Sequence, residues 1–270
     1  MVLLLVACKQ VNSKNGAQRA EHAADTVKTE TAQANFEETP HHYSNDSITA
    51  LISLFRERNI DKISNKIIFP LRRAYPVPSI KNQEEFKRRF NEVFDKTLIE
   101  RIAHSKPEQW SDVGWRGIML DDGVLWISED DGMITAVNYQ SDFEKKRRTE
   151  LILTEKRNLH ASLKNFESPA YRIKTDSYLI RIDELTANKY RYASWKTGEN
   201  ESSEPDIVLK NGKLEFQGSG GNHMITFVNG NYLYKVYRNI IGEENRPEIT
   251  LIIEKDGEII LTQDGTLISE

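Results

Sequence analysis

Four dipeptides, Asp122-Gly123, Asn211-Gly212, Asn229-Gly230 and Asp256-Gly257, each stand between two runs of strand-forming residues. A tight hairpin needs positive φ at its central positions, which Asp, Asn and Gly tolerate and branched residues resist. Three of the four fall in the last hundred residues. There the runs around Tyr178, Tyr190, Val208, Leu214, Phe227, Tyr234, Leu251 and Ile260 leave no room for helices. Seven or so short strands joined by such turns predict an all-β domain over residues 169–270, a small antiparallel barrel or sandwich.

The first half has a different period. Ile48, Leu51, Ile52 and Phe55 recur at helical spacing after Ser44-Asn45-Asp46, and a second short helix over residues 61–67 runs up to Pro70. Asn82 can cap a third helix, in which Phe86, Phe90, Val93, Phe94, Leu98 and Ile102 form one continuous apolar stripe. Lys87, Arg88, Arg89 and Lys96 fall largely off that stripe and read as a solvated face. A short meander follows, from Trp115 through Asp122-Gly123 to Val137. Residues 44–140 therefore predict helices laid on a small antiparallel sheet. Ser141-Asp142 caps a connecting helix over residues 141–168, helical to about Phe166, roughly 40 Å long at 1.5 Å per residue. It carries the basic run Lys145-Lys146-Arg147-Arg148, again read as solvated, and Pro169 ends the segment. The fold class is α+β.

Charge and cysteine content exclude several functions. The net charge of −4 gives no general attraction for a nucleic-acid backbone, so no nucleic acid is expected as partner. No run of eighteen apolar residues is present, so no spanning helix is expected. The one cysteine cannot form a disulfide within the chain. It stands at position 8, behind Val2-Leu3-Leu4-Leu5-Val6-Ala7. Leu5-Val6-Ala7-Cys8 resembles a lipobox, the processing motif of bacterial lipoproteins. The resemblance implies cleavage before Cys8 and acylation of its sulfur, which makes residues 1–8 a truncated lipoprotein signal. A secretory segment has a basic n-region and about 7–15 apolar residues. The run here is shorter and lacks the basic start, so Met1 is expected to be an internal start. Residues 9–43 are polar, with almost no large apolar side chain, and read as a flexible tether. His41-His42 at its end has no third ligand in register and reads as solvated linker.

Two further resemblances concern the body. The helices followed by the Trp115–Val137 meander are similar to the nuclear-transport-factor-2-like (cystatin-like) α+β cone, whose enzymes use an Asp/His pair inside the cone. Carried onto this chain, the candidates are His104 with Asp112, Asp121 or Asp122. Turn chemistry accounts for the last two and a helix end for His104, so no catalytic residue is assigned. The all-β domain looks faintly like the small barrel of bacterial lipoproteins that inhibit lysozyme, through Ser219-Gly220 with Tyr232 and Tyr234 downstream. That family's paired cysteines and Trp-Lys-Gly have no counterpart here.

The most distinctive loop is Gly218-Ser219-Gly220-Gly221-Asn222, followed by His223 and a strand pattern. A phosphate cradle wants a helix and a Gly-Lys-Ser/Thr ending at that point, so a nucleotide is not expected. Gly218, Gly220, Asn222 and His223, with Tyr232 and Tyr234, are the candidate partner-binding residues. The expectation is a lipoprotein of the bacterial cell envelope, facing the periplasm or the exterior and held to the bilayer through acylated Cys8. It would act as a non-enzymatic binding or inhibitory module for an envelope protein or glycan, with no metal and no cofactor. The alternative is a small-ligand carrier or enzyme using the interior of the N-terminal cone.

Overall fold

The structure, a computed structural model, describes residues 45–242 and 245–268. Cys8 and the lipobox-like residues before it, the 9–43 segment and His41-His42 lie outside the described residues. Among the described residues four helices come first: α1 (Asn45–Arg56), α2 (Ile60–Ser64), α3 (Gln83–Val93) and α4 (Lys96–Ala103). Capping side chains start the last three. Asn59 Oδ1 accepts from Lys62 N at 3.0 Å, Asn82 Oδ1 from Glu85 N at 3.0 Å, and Asp95 Oδ1 from Leu98 N at 2.9 Å. Asp95 corrects the sequence reading. The stripe from Phe86 to Ile102 belongs to two helices, because Phe94 leaves helical geometry (ψ 76°) and Asp95 caps a new start. The spacing nevertheless looked continuous, since both helices face one core.

That core holds Phe55, Phe86, Phe90 and Phe94, with Phe90 and Phe94 stacked at 5.2 Å and Phe55 at 5.3 Å from Phe94. Strands β1 (Trp110–Asp112), β2 (Ile118–Leu120), β3 (Leu125–Ile127) and β4 (Ile134–Val137) form an antiparallel sheet in that order and contribute Ile118, Leu120, Leu125, Ile127 and Ile134 to the same core. The β2–β3 turn also differs from expectation. It spans four residues, with positive φ at Asp121 and Gly123 rather than at Asp122 and Gly123. The basic face of α3 is largely paired: Arg89 is buried between Glu85 (2.9 Å) and Glu92 (2.8 Å), and Lys87 meets Asp61 at 2.5 Å.

Helix α5 (Asp142–Asn158), capped by Ser141, is shorter than its sequence suggested. It stops at Leu159 (ψ 156°) instead of Phe166, giving about 25 Å. Leu159, Leu163 and Phe166 then continue as loop and a single 3-10 turn, and with Ile152 they pack on Ala193 and Trp195. Thus α5 lies against the wall of the following barrel. Its basic run is also divided by contacts. Arg148 Nε donates to Tyr75 O at 2.8 Å, and Lys145 reaches Asp142 at 3.1 Å.

Eight antiparallel strands close the barrel: β5 (Ser168–Thr175), β6 (Tyr178–Leu185), β7 (Lys189–Lys196), β8 (Ile207–Phe216), β9 (His223–Asn229), β10 (Tyr232–Arg238), β11 (Ile249–Lys255) and β12 (Glu258–Leu267), in the order β10-β11-β12-β5-β6-β7-β8-β9. Alternation fills the interior with Ile173, Ile180, Ile182, Tyr192, Ile225, Phe227, Tyr234, Val236 and Leu251. Asn229-Gly230 and Asp256-Gly257 lie at hairpin turns as expected, and Asp256 and Gly257 both have positive φ. Asn211-Gly212 does not turn. It is a bulge inside β8, with Asn211 at φ 60° and the register to β7 slipping there. Gly212 is required because a Cβ at that site would stand 2.3 Å from the Phe227 ring. Pro169 likewise continues the chain as part of β5, at a second bulge.

Outside the barrel, under α5, lies a buried ion network. Arg181 and Asp183 are fully buried side chains on the outer face of β6. Arg181 donates to Asp183 (2.8 Å), to Glu155 of α5 (2.8 Å) and to Glu201 (3.3 Å), while Arg191 reaches Asp183 at 2.5 Å and Arg172 reaches Glu201 at 2.6 Å. Burial alone would lower the Arg181 pKa, but Asp183 and Glu155 outweigh it and hold the group above its ordinary value. Glu155 also accepts from Tyr75 Oη at 2.9 Å. Asp183→Asn leaves two buried guanidiniums without their shared carboxylate, and is expected to cost about 3–5 kcal/mol in urea unfolding. Gly212→Val, which drives a side chain into Phe227, is expected to cost about 1–3 kcal/mol by the same measurement.

Candidate functional site

The glycine loop, residues 217–222, joins β8 to β9 at one end of the barrel. Gln217 N donates to Asn222 O at 2.7 Å, closing the loop, and Gly218 and Gly221 take positive φ. The Asn222 side chain then fastens it to the segment after β10. Its Oδ1 accepts from Ile240 N (2.7 Å) and Ile241 N (2.9 Å), and its Nδ2 donates to Ile241 O (2.8 Å). Gly220 allows the closest approach. A Cβ there would fall 1.9 Å from Ile241 Cδ1 and 3.3 Å from the Trp115 ring.

Trp115 comes from the 3-10 turn Gly114–Arg116 of the first sheet, where the sequence suggested strand. Side chains from both halves of the body therefore meet at this loop. Trp115 is 66% exposed, Phe216 68%, Ile240 44% and Ile241 43%. Large apolar side chains scattered singly on a surface are ordinary, whereas these four gather around one loop.

Below this rim the barrel end is polar. His223 is buried, with Nδ1 2.7 Å from Gly221 O and Nε2 2.6 Å from Tyr171 Oη. The carbonyl can only accept, so Nδ1 carries the proton and Nε2 accepts from the phenol, a tautomer assigned from the hydrogen-bond network. The Phe216 ring stands edge-on to His223 at 5.6 Å. Arg238, also buried, bonds Glu248 Oε1 at 3.1 Å and the carbonyls of Asn239 and Glu248. Burial pushes the Tyr171 phenol up to about 12, against a smaller opposite pull from Arg238. Both ring nitrogens of His223 are thus hydrogen-bonded within the chain.

Of the residues expected to bind a partner, Gly218, Gly220, Asn222 and His223 are brought together here, Asn222 and His223 as internal ties. Tyr232 and Tyr234 are not. In the β9–β10 pairing His223 lies opposite Arg238, and Tyr232 is at the far end of β10. Tyr234 is inside the barrel against Tyr192 at 5.7 Å, and Tyr232 lies under Lys255 Nζ at 5.4 Å. The His104 group is likewise dispersed. His104 Nδ1 meets Glu100 O at 2.8 Å, Asp112 caps Gly114 N at 2.7 Å, and Asp121 pairs with Arg101 at 2.6 Å. Among the described residues no cluster of His, Cys, Asp and Glu is placed to hold a metal ion. The sequence reading missed Tyr171, Trp115, Ile240 and Ile241. Ile240-Ile241 in a loop, with Asn and Gly on either side, was the available signal.

The Tyr171 phenol stays protonated in the fold where a free phenol ionises near 10. Its burial contributes fully below that pH, and the contribution is lost as pH climbs from about 10 to about 12. Tyr171→Phe is expected to cost about 1 kcal/mol at neutral pH, from the lost bond to His223, and to flatten the alkaline fall in urea midpoint. An alkaline limb unchanged by the substitution would show that another group sets it. Comparison with protein-family models, with curated proteins and with solved structures found no match.

Proposed function

We propose that this chain is a lipid-anchored lipoprotein of the bacterial envelope whose body is a non-enzymatic binding or inhibitory module, docking a protein through the glycine-loop end of the barrel. The observation that carries the reading is the exposed rim of Trp115, Phe216, Ile240 and Ile241 around a loop held in one conformation by Asn222. A pre-set apolar surface loses little conformational freedom on docking, and tryptophan in particular supplies large contact area. A protein suits this rim better than a glycan, because the amide of Asn222, the nearest sugar-binding group, is already spent on main-chain bonds.

The apolar packing of the first core, with its four phenylalanines, favours this reading over a ligand carrier or enzyme in that interior. The cone likeness of the first half stays part of the proposal. It is supported by α1–α4 and the four-stranded sheet sharing one core. Attachment through Cys8 rests on the Leu5-Val6-Ala7-Cys8 pattern alone.

Two experiments test the two halves separately. Recovery of partners from envelope extract is expected to fall for Trp115→Ala combined with Ile241→Ala, by about thirtyfold in affinity for an anchor worth ~2 kcal/mol. Equal recovery of every partner would overturn the docking surface. Fatty-acid labelling in cells is expected for the chain and absent for Cys8→Ser, and label retained by that variant would overturn the anchor.

A further inference from the structure

The barrel is closed unevenly. Strand β12 pairs with β11 along its length, but with β5 only at Gly265, Thr266 and Leu267. Residues 258–262 therefore have β11 on one side and, among the described residues, no strand on the other, while the side chain of Gln263 already meets the end of β5 and its turn, accepting from Thr175 Oγ1 (2.7 Å) and donating to Ser177 Oγ (2.7 Å). A strand edge of this kind presents main-chain N–H and C=O groups that another extended chain can pair with. This edge lies by the Asp256-Gly257 turn, at the end of the barrel away from the glycine loop.

Residues 258–264 read Glu-Ile-Ile-Leu-Thr-Gln-Asp, with neither proline nor lysine. The register slips between Ile253 and Glu254, so Ile260 has no opposite residue on β11. That bulge breaks the alternation and leaves Ile259 and Ile260 both turned out, 61% and 55% exposed. At the two ends stand exposed carboxylates, Glu258 and Asp264.

We propose that this edge of β12 takes an additional strand from another protein, an extended segment with alternating apolar side chains and basic residues at its ends. The free main-chain groups call for an extended polypeptide, and Ile259, Ile260 and Leu261 call for apolar neighbours. The terminal carboxylates select basic flanks. They also disfavour a second copy of this chain. Antiparallel self-pairing centred on Leu261 sets Glu258 opposite Asp264 at both ends, and like charges directly across a ladder are destabilising.

The test uses the full chain and a labelled probe peptide, Lys-Thr-Val-Thr-Val-Thr-Lys, followed by fluorescence anisotropy. The peptide binds, and the same peptide N-methylated at alternate residues, which removes donors while keeping its side chains, binds about tenfold or more weakly. A version with glutamate ends also binds more weakly, and Glu258→Lys with Asp264→Lys reverses that preference. The charge-swapped chain needs only to stay folded by circular dichroism for the reversal to be read. Equal binding of the parent and N-methylated peptides, or binding of neither at millimolar concentration, overturns the proposal. Sedimentation showing a dimer that Glu258→Lys strengthens, by replacing the like-charge pair with an opposite one, overturns it too, because a second copy is then the occupant.

Discussion

Arg181 is a full positive charge with no exposed side-chain surface, and the architecture around it follows from what that demands. Desolvating a guanidinium costs several kcal/mol unless its donors meet carboxylates in good geometry. Here they meet three, Asp183, Glu155 and Glu201, each contributed by a different segment. Asp183 also takes Arg191, and Glu201 takes Arg172, so three cations face three anions. The network sits where α5 crosses the outer wall of β6 and β7. Because Glu155 also holds Tyr75, it binds the barrel wall to the connector after the second helix. A parallel tie is made higher on α5, where Glu144 receives Arg73 at 2.6 Å and Arg73 further donates to Tyr139 O at 2.6 Å. Apolar packing of Ile152, Leu159 and Phe166 would permit α5 to slide. The directional charge contacts fix its register.

That fixed register is what gives the glycine-loop surface its shape. Trp115 belongs to the first sheet, while Phe216 and Ile241 belong to barrel loops. They form one rim only because the two parts are held together through α5. Asn222 then limits the loop's own freedom. The close approach falls on a glycine: at Gly220 even a methyl group would displace Ile241.

Much of this was legible in the sequence. Helical and alternating periods located the helices and the β half, and Asn229-Gly230 and Asp256-Gly257 located two hairpins. The failures share a cause: each depended on a contact distant in the chain. Asn211-Gly212 has the composition of a turn, but Phe227 on the neighbouring strand uses the missing side chain, and so the chain continues as a bulge. The Phe86–Ile102 stripe concealed a helix break, because a stripe records which face is buried and not whether the backbone is continuous. Arg181 and Asp183, alternate residues in a strand, gave no sign of burial, since nothing local says that a helix will cover them. For the site, the glycine loop and His223 could be found by composition. Tyr171 and Trp115 are more than forty residues away from it in sequence and join it only in the fold.

The three-residue seam between β12 and β5 has a consequence for how the molecule is made. Every other neighbouring pair in the barrel is adjacent in sequence, so those ladders can zip up locally as the polypeptide leaves the ribosome. Ile173 must wait for Leu267, almost the whole length of the barrel later. Until then β5 and the growing sheet each carry an open edge. Closure is thus the one non-local step of the ring, and it rests on the ring's shortest ladder.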